Sequence, residues 1–221
     1  MTTGVGVVFA SGRYELDVPE ALPFFQALVD TAAFVVCADG GANAMRRIGR
    51  VPHLIVGDMD SISGDALDAL AAVPRCLVPT DKDFTDTELA IEKALEHGVG
   101  ELVLCGVVGT RVDHSLTNIM LLLRLADRGV RARIVGYAME AFLCRPEERV
   151  VGREGWTCSL VALSPVVHGV TLSGFHYGLT GEDVERGNGR TCSNVIASHD
   201  ARIEKKDGDL LVVLTRPDFL D

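Results

Sequence analysis

The feature that most constrains this chain is an alternation of apolar runs with helix-like segments between residues 5 and 137. The runs are almost continuously apolar, which indicates strands buried on both faces, as in a parallel sheet covered by helices. The intervening segments space apolar residues by three and four, and several end at a glycine. The apolar runs are VGVVF, FVVCA, HLIVG, CLVP, ELVLCGVV and ARIVGY. This part of the chain predicts an open, mostly parallel α/β sheet with flanking helices.

After about residue 140 the helical periodicity ends, and short β-rich runs separated by turn residues follow. Asp207-Gly208 between two such runs predicts a β-hairpin. Pro146 and a run of charges interrupt both patterns between residues 138 and 148. We therefore expect two domains, residues 1–140 and 141–221, the second an antiparallel β-sandwich or barrel.

The composition is typical of a globular protein rather than of a membrane-spanning or disulfide-rich one. With 221 residues and 48% hydrophobic residues, the chain can bury a full core. The opening segment has a short apolar run without a basic region before it, and no run reaches the roughly 18 to 20 apolar residues of a membrane span. The six cysteines are widely spaced, with no CxxC motif. We expect a cytoplasmic protein with reduced core thiols and no membrane association.

Clustered aspartates are the main chemical signal. Residues 57 to 88 hold eight acidic and two basic side chains, and so contribute −6 of the net charge of −10. Unless metal ions cover it, so acidic a segment repels nucleic acid. Carboxylates a few residues apart at strand ends suit Mg²⁺, which prefers oxygen ligands. The clustered aspartates of the motifs GDMDS, DKDFTD and GTRVDH are Asp58, Asp60, Asp81, Asp83, Asp86 and Asp113.

Each polar motif directly follows an apolar run. ADGGAN follows FVVC, GDMDS follows HLIV, DKDFTD follows CLVP, and GVVGTRVDH follows ELVLC. Ligands of open α/β sheets bind beyond the carboxyl ends of the strands. A single such motif is commonly only a turn, but four in succession predict one binding crevice.

Two motifs predict helix starts at this crevice. Gly40 and Gly41 follow Asp39 and are expected to open a helix whose backbone N–H groups face a phosphate. The pattern is neither GxGxxG nor GxxxxGK[ST], so it predicts neither a dinucleotide fingerprint nor a Walker loop. Thr85 is expected to cap the helix that follows it, with Glu88 completing a capping box.

Arg111 lies in a glycine loop before a helix and suits a bidentate contact to phosphate. The alternative is an ion pair with Asp113 at the surface. His114 is either a phosphate contact or a structural residue at the helix start.

Four motifs resemble, in order and spacing, those of the thiamine pyrophosphokinase family. They are ADGGAN, PHLIVGDMDS, DKDFTDTELAI and the GxxGxRxDHxLxN pattern of residues 106–118, while GFHYGL followed by TCSN is similar to the family's substrate-binding segment. The resemblance covers most of residues 35–215. It implies ATP as co-substrate, Mg²⁺ as cofactor, and a homodimer that binds thiamine at the subunit interface.

The resemblance also implies roles for individual residues. The expected metal ligands are Asp58, Asp60, Asp83 and Asp86. The expected nucleotide and phosphate contacts are Asp39, Gly40, Gly41, Ser61, Thr85, Arg111, Asp113 and His114. Tyr177, Ser193 and Asn194 are expected to face thiamine. Many members have Trp in place of Tyr177, whose smaller ring can still stack on the cationic substrate; the alternative for Tyr177 is a packed strand aromatic.

The implied reaction transfers the pyrophosphoryl group of ATP to the primary hydroxyl of thiamine, with release of AMP. Asp60, Asp86 and Arg111 are the candidate catalytic residues, and either aspartate is a candidate for the base. Two alternatives remain open on the sequence. One is a pyrophosphokinase for another primary alcohol, such as a hydroxymethylpterin, and the other is a sensor of thiamine diphosphate or nucleotide without turnover.

Overall fold

The computed structural model describes residues 4–79 and 83–220, so Asp81 of the aspartate motifs lies outside the described residues. The chain divides into two compact units, Met1–Tyr137 and Ala138–Asp221. The sequence-based boundary at 140/141 differs by three residues, and β7 (Met139–Leu143) belongs to the second unit.

The first unit is a parallel sheet with helices, as predicted. Its elements in chain order are β1 (Val5–Phe9), α1 (Ala21–Thr31), β2 (Phe34–Ala38), α2 (Gly41–Ile48), β3 (Leu54–Gly57), α3 (Gly64–Ala69), β4 (Arg75–Leu77), α4 (Asp86–Glu96), β5 (Glu101–Cys105), α5 (Val112–Asp127) and β6 (Arg131–Val135). The strands follow the order β6-β5-β1-β2-β3-β4, with parallel pairing between neighbours.

Strand β1 lies at the point where the strand order reverses. The chain runs from β1 through β2 and β3 to β4 on one side, and continues with β5 and β6 on the other. Phe9, the last residue of β1, lies opposite Cys37 on β2 and Cys105 on β5. The loops that leave β1 and its neighbours therefore open a crevice at the position where α/β sheets bind ligands.

Apolar packing covers both faces of this sheet. On one face Phe9 and Met45 join a buried cluster with Phe25 of α1. Helix α4 packs against β1, β2 and β3 and buries Ala90 and Ile91. This two-sided burial explains why the strands are apolar along their whole length.

The second unit is an antiparallel β-sandwich, as predicted. Its remaining elements are β8 (Glu147–Val151), β9 (Thr157–Ala162), β10 (Val166–Ser173), β11 (Leu179–Glu185), β12 (Asn194–Val195), β13 (Asp200–Glu204), β14 (Leu210–Thr215) and the short 3-10 helix Pro217–Phe219. One layer has the order β12-β9-β14-β7 and the other β11-β10-β13-β8. Residues of both layers form one core, for example Phe142, Val212, Val170 and Ile203.

The predicted hairpin at Asp207-Gly208 is wrong. Strand β13 pairs with β8 and β10, whereas β14 pairs with β7 and β9, so the dipeptide connects the two layers. A Cβ on Gly208 would lie 2.7 Å from the carbonyl oxygen of Val166, and the φ of Gly208 is +87°. The glycine is needed here for a close approach to β10 rather than for a two-residue turn.

The cysteines form no disulfide, and all six lie within the described ranges. Cys37, Cys105, Cys144 and Cys158 are buried thiols, as expected, whereas Cys192 is exposed. None of the helices in the described part of the chain combines the length and the apolar character that a membrane crossing requires.

Candidate functional site

A polar crevice of about 720 Å³ lies at the carboxyl ends of the strands of the first unit. Loops after β1, β2, β3 and β5 surround it, together with the starts of α4 and α5. It is lined by Ala10, Ser11, Gly12, Ala38, Asp39, Asp58, Asp60, Ser61, Thr85, Asp86, Thr87, Val107, Val108, Thr110, Arg111, His114, Ser115 and Asn118, with Gly106 and Gly109. The loops that follow the strands therefore converge on one crevice, as predicted.

Three carboxylates at this crevice lie close together. Asp39, Asp58 and Asp60 each offer one oxygen, and these oxygens all lie within 4.8 Å of one another. Asp39 follows β2 with a φ of +43°, and its amide donates to the carbonyl oxygen of Val56 at 2.7 Å. The backbone thus turns the Asp39 side chain towards the loop after β3.

Asp39 is the buried member of this carboxylate cluster. It is 6% exposed, and its Oδ1 is the one buried side-chain oxygen or nitrogen in the described residues without a hydrogen-bond partner. Burial raises the pKa of Asp39, and the nearby charges of Asp86 and Asp60 act in the same direction. Polar contacts with Ser61 and with the Gly40 backbone act in the opposite direction.

The carboxylate cluster fits a hard divalent cation. An unpartnered buried oxygen is costly, and a cation coordinated by all three carboxylates would both satisfy it and offset the repulsion among them. Mg²⁺ accepts oxygen donors of this kind. Asp39 was predicted as a nucleotide contact, and its place beside Asp58 and Asp60 makes it a candidate metal ligand as well.

Helix α2 fixes the loop that carries Asp58 and Asp60. Asn43 Nδ2 donates to the carbonyl oxygen of Ser61 at 2.8 Å, and Asn43 Oδ1 accepts from the amide of Ser63 at 2.9 Å. The Ser61 hydroxyl donates to Asp60 Oδ1 at 2.8 Å. These bonds fix the loop that carries Asp58 and Asp60 and orient the Asp60 carboxylate.

Helix α2 begins where the sequence predicted. Gly40 is its N-cap and Gly41 its first residue. A Cβ on Gly41 would lie 2.0 Å from the carbonyl oxygen of Phe9, so the helix start is packed against the end of β1. Neither glycine is among the residues that line the crevice.

Helix α4 begins with the predicted capping box. The Glu88 amide donates to Thr85 Oγ1 at 3.2 Å, and the Thr85 amide donates to Glu88 Oε2 at 2.9 Å. Thr85 and Asp86 line the crevice. Asp83 is exposed and is not among the lining residues.

Helix α5 holds the glycine loop after β5. Asn118 Nδ2 donates to the carbonyl oxygen of Val107 at 2.7 Å, and the Gly109 amide donates to Ser115 Oγ at 3.1 Å. Both side chains line the crevice; Asn118 ends the GxxGxRxDHxLxN pattern, but no role was predicted for either residue from the sequence. Their spacing on one helix face after a glycine loop is the signal that would have found them.

Arg111 pairs with Asp113 in this structure, which is the alternative considered from the sequence. The Arg111 Nη2 donates to Asp113 Oδ2 at 2.5 Å. The guanidinium of Arg111 lowers the pKa of Asp113 to about 2, and the backbone amide of His114 adds to this effect. Arg111 and His114 line the crevice, whereas Asp113 does not. The pair is exposed, so solvent screens the attraction between its charges.

The loop after β1 was missed entirely. Ser11 and Gly12 line the crevice directly after the apolar run VGVVF. The same rule that selected the other strand ends applies to this one. Its two small residues carry no charge, and so they gave no chemical signal.

Two of the predicted substrate residues of the second unit, Tyr177 and Asn194, are joined by hydrogen bonds. Tyr177 is 66% exposed, so it is not a packed strand aromatic. Asn194 Nδ2 donates to the Tyr177 carbonyl oxygen at 2.7 Å, and Asn194 Oδ1 accepts from the Tyr177 amide at 3.0 Å. Asn194 is buried, and its role in this structure is to hold the Tyr177 backbone. Ser193 is exposed, with a φ of +58°.

The first unit is an α/β sheet with a carboxylate cluster between glycine loops, and a β-sandwich follows it. These features define a class of proteins suited to binding a cation and a phosphorylated ligand. Two family models match this chain. Residues 25–134 match "Thiamin pyrophosphokinase, catalytic domain", and residues 144–210 match "Thiamin pyrophosphokinase, vitamin B1 binding domain". The chain belongs to the thiamin pyrophosphokinase family, and the resemblance seen in the sequence is confirmed.

Curated relatives match this chain over most of its length. The thiamine pyrophosphokinase of Bacillus subtilis is 25% identical over 196 residues, which cover 87% of this chain and 92% of that protein. Thiamine pyrophosphokinase 1 of Oryza sativa is 27% identical over 232 residues, which cover 91% of this chain and 87% of that protein.

Solved structures share the fold. The crystal structure of the Bacillus subtilis thiamine pyrophosphokinase has a TM-score of 0.83 at 24% identity and covers 96% of this chain and 98% of its own. The yeast thiamin pyrophosphokinase has a TM-score of 0.76 at 17% identity, with 100% and 89% covered. At these identities the likeness supports the predicted fold alone.

Proposed function

We propose that this protein is a thiamine pyrophosphokinase that transfers the pyrophosphoryl group of ATP to the hydroxyethyl oxygen of thiamine. The products are thiamine diphosphate and AMP. The observation that carries the proposal is the carboxylate cluster of Asp39, Asp58 and Asp60 between glycine loops. It lies in a chain that matches both the catalytic and the vitamin B1 binding models of the family.

The carboxylate cluster supports a magnesium-dependent reaction. Asp39, Asp58 and Asp60 would hold Mg²⁺, and we retain Asp86 at the crevice and the exposed Asp83 as further candidates. When bound, Mg²⁺ neutralises charge on the phosphates of ATP. The chain itself would position the phosphates, because the loops after β1 and β5 and the starts of α4 and α5 line the crevice.

The chemical step forms a bond from the thiamine hydroxyl oxygen to the β-phosphorus. The bond from that phosphorus to the oxygen bridging to the α-phosphate breaks, and AMP leaves with this oxygen. The hydroxyl proton passes to a carboxylate, for which Asp60 and Asp86 are candidates. Arg111 is free to turn from Asp113 to the transferring group and stabilise its charge.

The thiamine side of the reaction is assigned to the second unit. Tyr177 presents an exposed ring, and aromatic faces attract organic cations such as thiazolium. Asn194 is hydrogen-bonded to the Tyr177 backbone, and Ser193, Asn194 and Tyr177 all fall in the segment matched by the vitamin B1 binding model. We propose that the protein is a homodimer and that the thiamine pocket includes residues of both subunits.

Release of AMP tests the proposed function. The protein, ATP and Mg²⁺ are incubated with thiamine, with hydroxymethylpterin or with neither, and AMP is measured by chromatography. We expect AMP only with thiamine. Release with the pterin alone would indicate a pyrophosphokinase for another alcohol. Binding of thiamine diphosphate without AMP formation from thiamine would indicate a sensor.

Tyr177→Ala is expected to raise the KM for thiamine by roughly 10- to 30-fold, because an aromatic contact to the cation is lost. The KM for ATP should stay within about twofold, since the phosphate site is assigned to the other unit. Tyr177→Phe is the matched control, as it keeps the ring and should keep the KM for thiamine. Equal KM values for Tyr177→Ala and wild type would exclude Tyr177 from the pocket.

Subunit mixing tests the shared pocket. Inactive Asp58→Asn subunits are combined with inactive Tyr177→Ala/Asn194→Ala subunits, and heterodimers are verified by mass. Recovery of activity is expected if one subunit supplies the carboxylates and its partner supplies Tyr177. A heterodimer without activity would mean that each subunit builds its own complete site.

A further inference from the structure

A buried tyrosine lies beneath the crevice and is not part of the proposed mechanism. Tyr14 is 6% exposed. Its hydroxyl is 2.5 Å from the carbonyl oxygen of Ala10 and 3.1 Å from that of Cys105. These carbonyls lie at the ends of β1 and β5, immediately before the two loops that line the crevice on either side of the strand-order reversal.

The same two loops are joined by backbone hydrogen bonds. The Ala10 amide donates to the Cys105 carbonyl oxygen at 2.9 Å, and the Gly12 amide donates to the Gly106 carbonyl oxygen at 2.6 Å. A Cβ on Gly12 would lie 2.3 Å from that Gly106 oxygen. The two loops are therefore in direct backbone contact, and the Tyr14 hydroxyl lies on the buried side of this contact.

Packing fixes the Tyr14 ring in this position. Its centroid is 5.8 Å from the ring of Phe9, in a stacked arrangement, and 5.3 Å from the ring of Phe25, edge to face. Gly106 has a φ of +64°, and a Cβ there would lie 2.2 Å from the Tyr14 hydroxyl oxygen. Burial raises the pKa of Tyr14, so the hydroxyl stays protonated and remains a donor.

We propose that Tyr14 is a positioning residue for ATP, whose hydroxyl sets the spacing between residues 10–12 and residues 106–109. This inference rests on the proposed function, because it takes these loops as the phosphate-binding loops. Tyr14 touches no substrate. It acts by keeping the crevice-lining residues of the two loops at the separation that one polyphosphate chain requires.

Tyr14→Phe tests the inference, since it removes the hydroxyl and keeps the ring. The dissociation constant for α,β-methylene-ATP with Mg²⁺ is measured by calorimetry, because this analogue cannot be cleaved at the reacting bond. We expect it to rise about 5- to 20-fold, together with the KM for ATP. The KM for thiamine should change less than about twofold.

Phe24→Leu is the matched control for packing. Phe24 packs against the same apolar cluster, with its ring centroid 5.1 Å from that of Phe25, so its substitution should lower the Tm and leave the analogue affinity unchanged. If Phe24→Leu weakens analogue binding as much as Tyr14→Phe, or if Tyr14→Phe binds the analogue like the wild type, the inference is wrong.

A second variant and a measurement of wild-type activity complete the test of Tyr14. If Tyr14→Phe does not fold, Gly12→Ala forces the same loops apart from the crevice side and should show the same selective loss of analogue affinity; unchanged affinity would overturn the inference. Wild-type AMP formation is measured first. Its absence would reject the proposed function, whereas the comparison of variants in analogue binding judges the role of Tyr14.

Discussion

Asp58→Asn is expected to reduce kcat several hundred-fold or more while leaving the fold intact. One carboxylate oxygen of Asp58 lies within 4.8 Å of one oxygen of Asp39 and one oxygen of Asp60. Replacing a charged ligand by an amide removes several kcal/mol of stabilisation from the transition state. The free energy of unfolding should be unchanged or slightly higher in the metal-free protein, because one of three clustered negative charges is lost.

The measurement is kcat at saturating Mg²⁺, with unfolding followed separately by denaturant titration. Asp65→Asn is the matched control, since Asp65 is an exposed aspartate of the neighbouring helix α3 and pairs with Arg46 at 3.0 Å. It should keep near wild-type activity. If Asp58→Asn retains more than about a tenth of the wild-type kcat, Asp58 is not a metal ligand.

Gly41→Ala is expected to destabilise the protein by at least about 3 kcal/mol. Its added Cβ would lie 2.0 Å from the carbonyl oxygen of Phe9 and 2.6 Å from the carbonyl carbon. Both obstacles are backbone atoms of a buried strand, so helix α2 must move away from β1. Because Asn43 on that helix fixes the loop of Asp58 and Asp60, the displacement should also lower activity.

Gly64→Ala is the control for the stability measurement. Gly64 is the first residue of α3, and a Cβ there meets nothing within 4 Å. This variant should be neutral or more stable by up to about 1 kcal/mol, because alanine favours the helix. Urea unfolding of both variants gives the comparison. A Gly41→Ala protein within about 1 kcal/mol of wild type would show that α2 is not held against β1 as described.

Much of the fold could be predicted because the sequence patterns are local. Buried strands such as β1 and β2 are apolar without interruption, and Thr85 with Glu88 forms the expected capping box. Strand β11, by contrast, reads LTGEDVE and buries only Leu179 and Val184, so it gave no strand signal. The Asp207-Gly208 error has a similar origin, since turn residues do not reveal whether the next strand stays in the same layer.

The candidate site was predictable in its location but not in its detail. Strand ends indicated the crevice, and most of the charged residues expected there line it. Asp39 could not be recognised as a partner of Asp58, because their proximity depends on the left-handed backbone at Asp39. Ser11 and Tyr14 carry no charge, and their positions follow from the pairing of β1 with β5, which is a long-range property.

We expect the bond between the α- and β-phosphates of ATP to be cleaved and the pyrophosphoryl group to move intact to thiamine. Product analysis with ATP labelled separately at the α-, β- and γ-phosphorus tests it most directly. We predict that thiamine diphosphate carries the β and γ labels and that AMP carries the α label. Formation of ADP with γ-labelled thiamine monophosphate as the main products would contradict it.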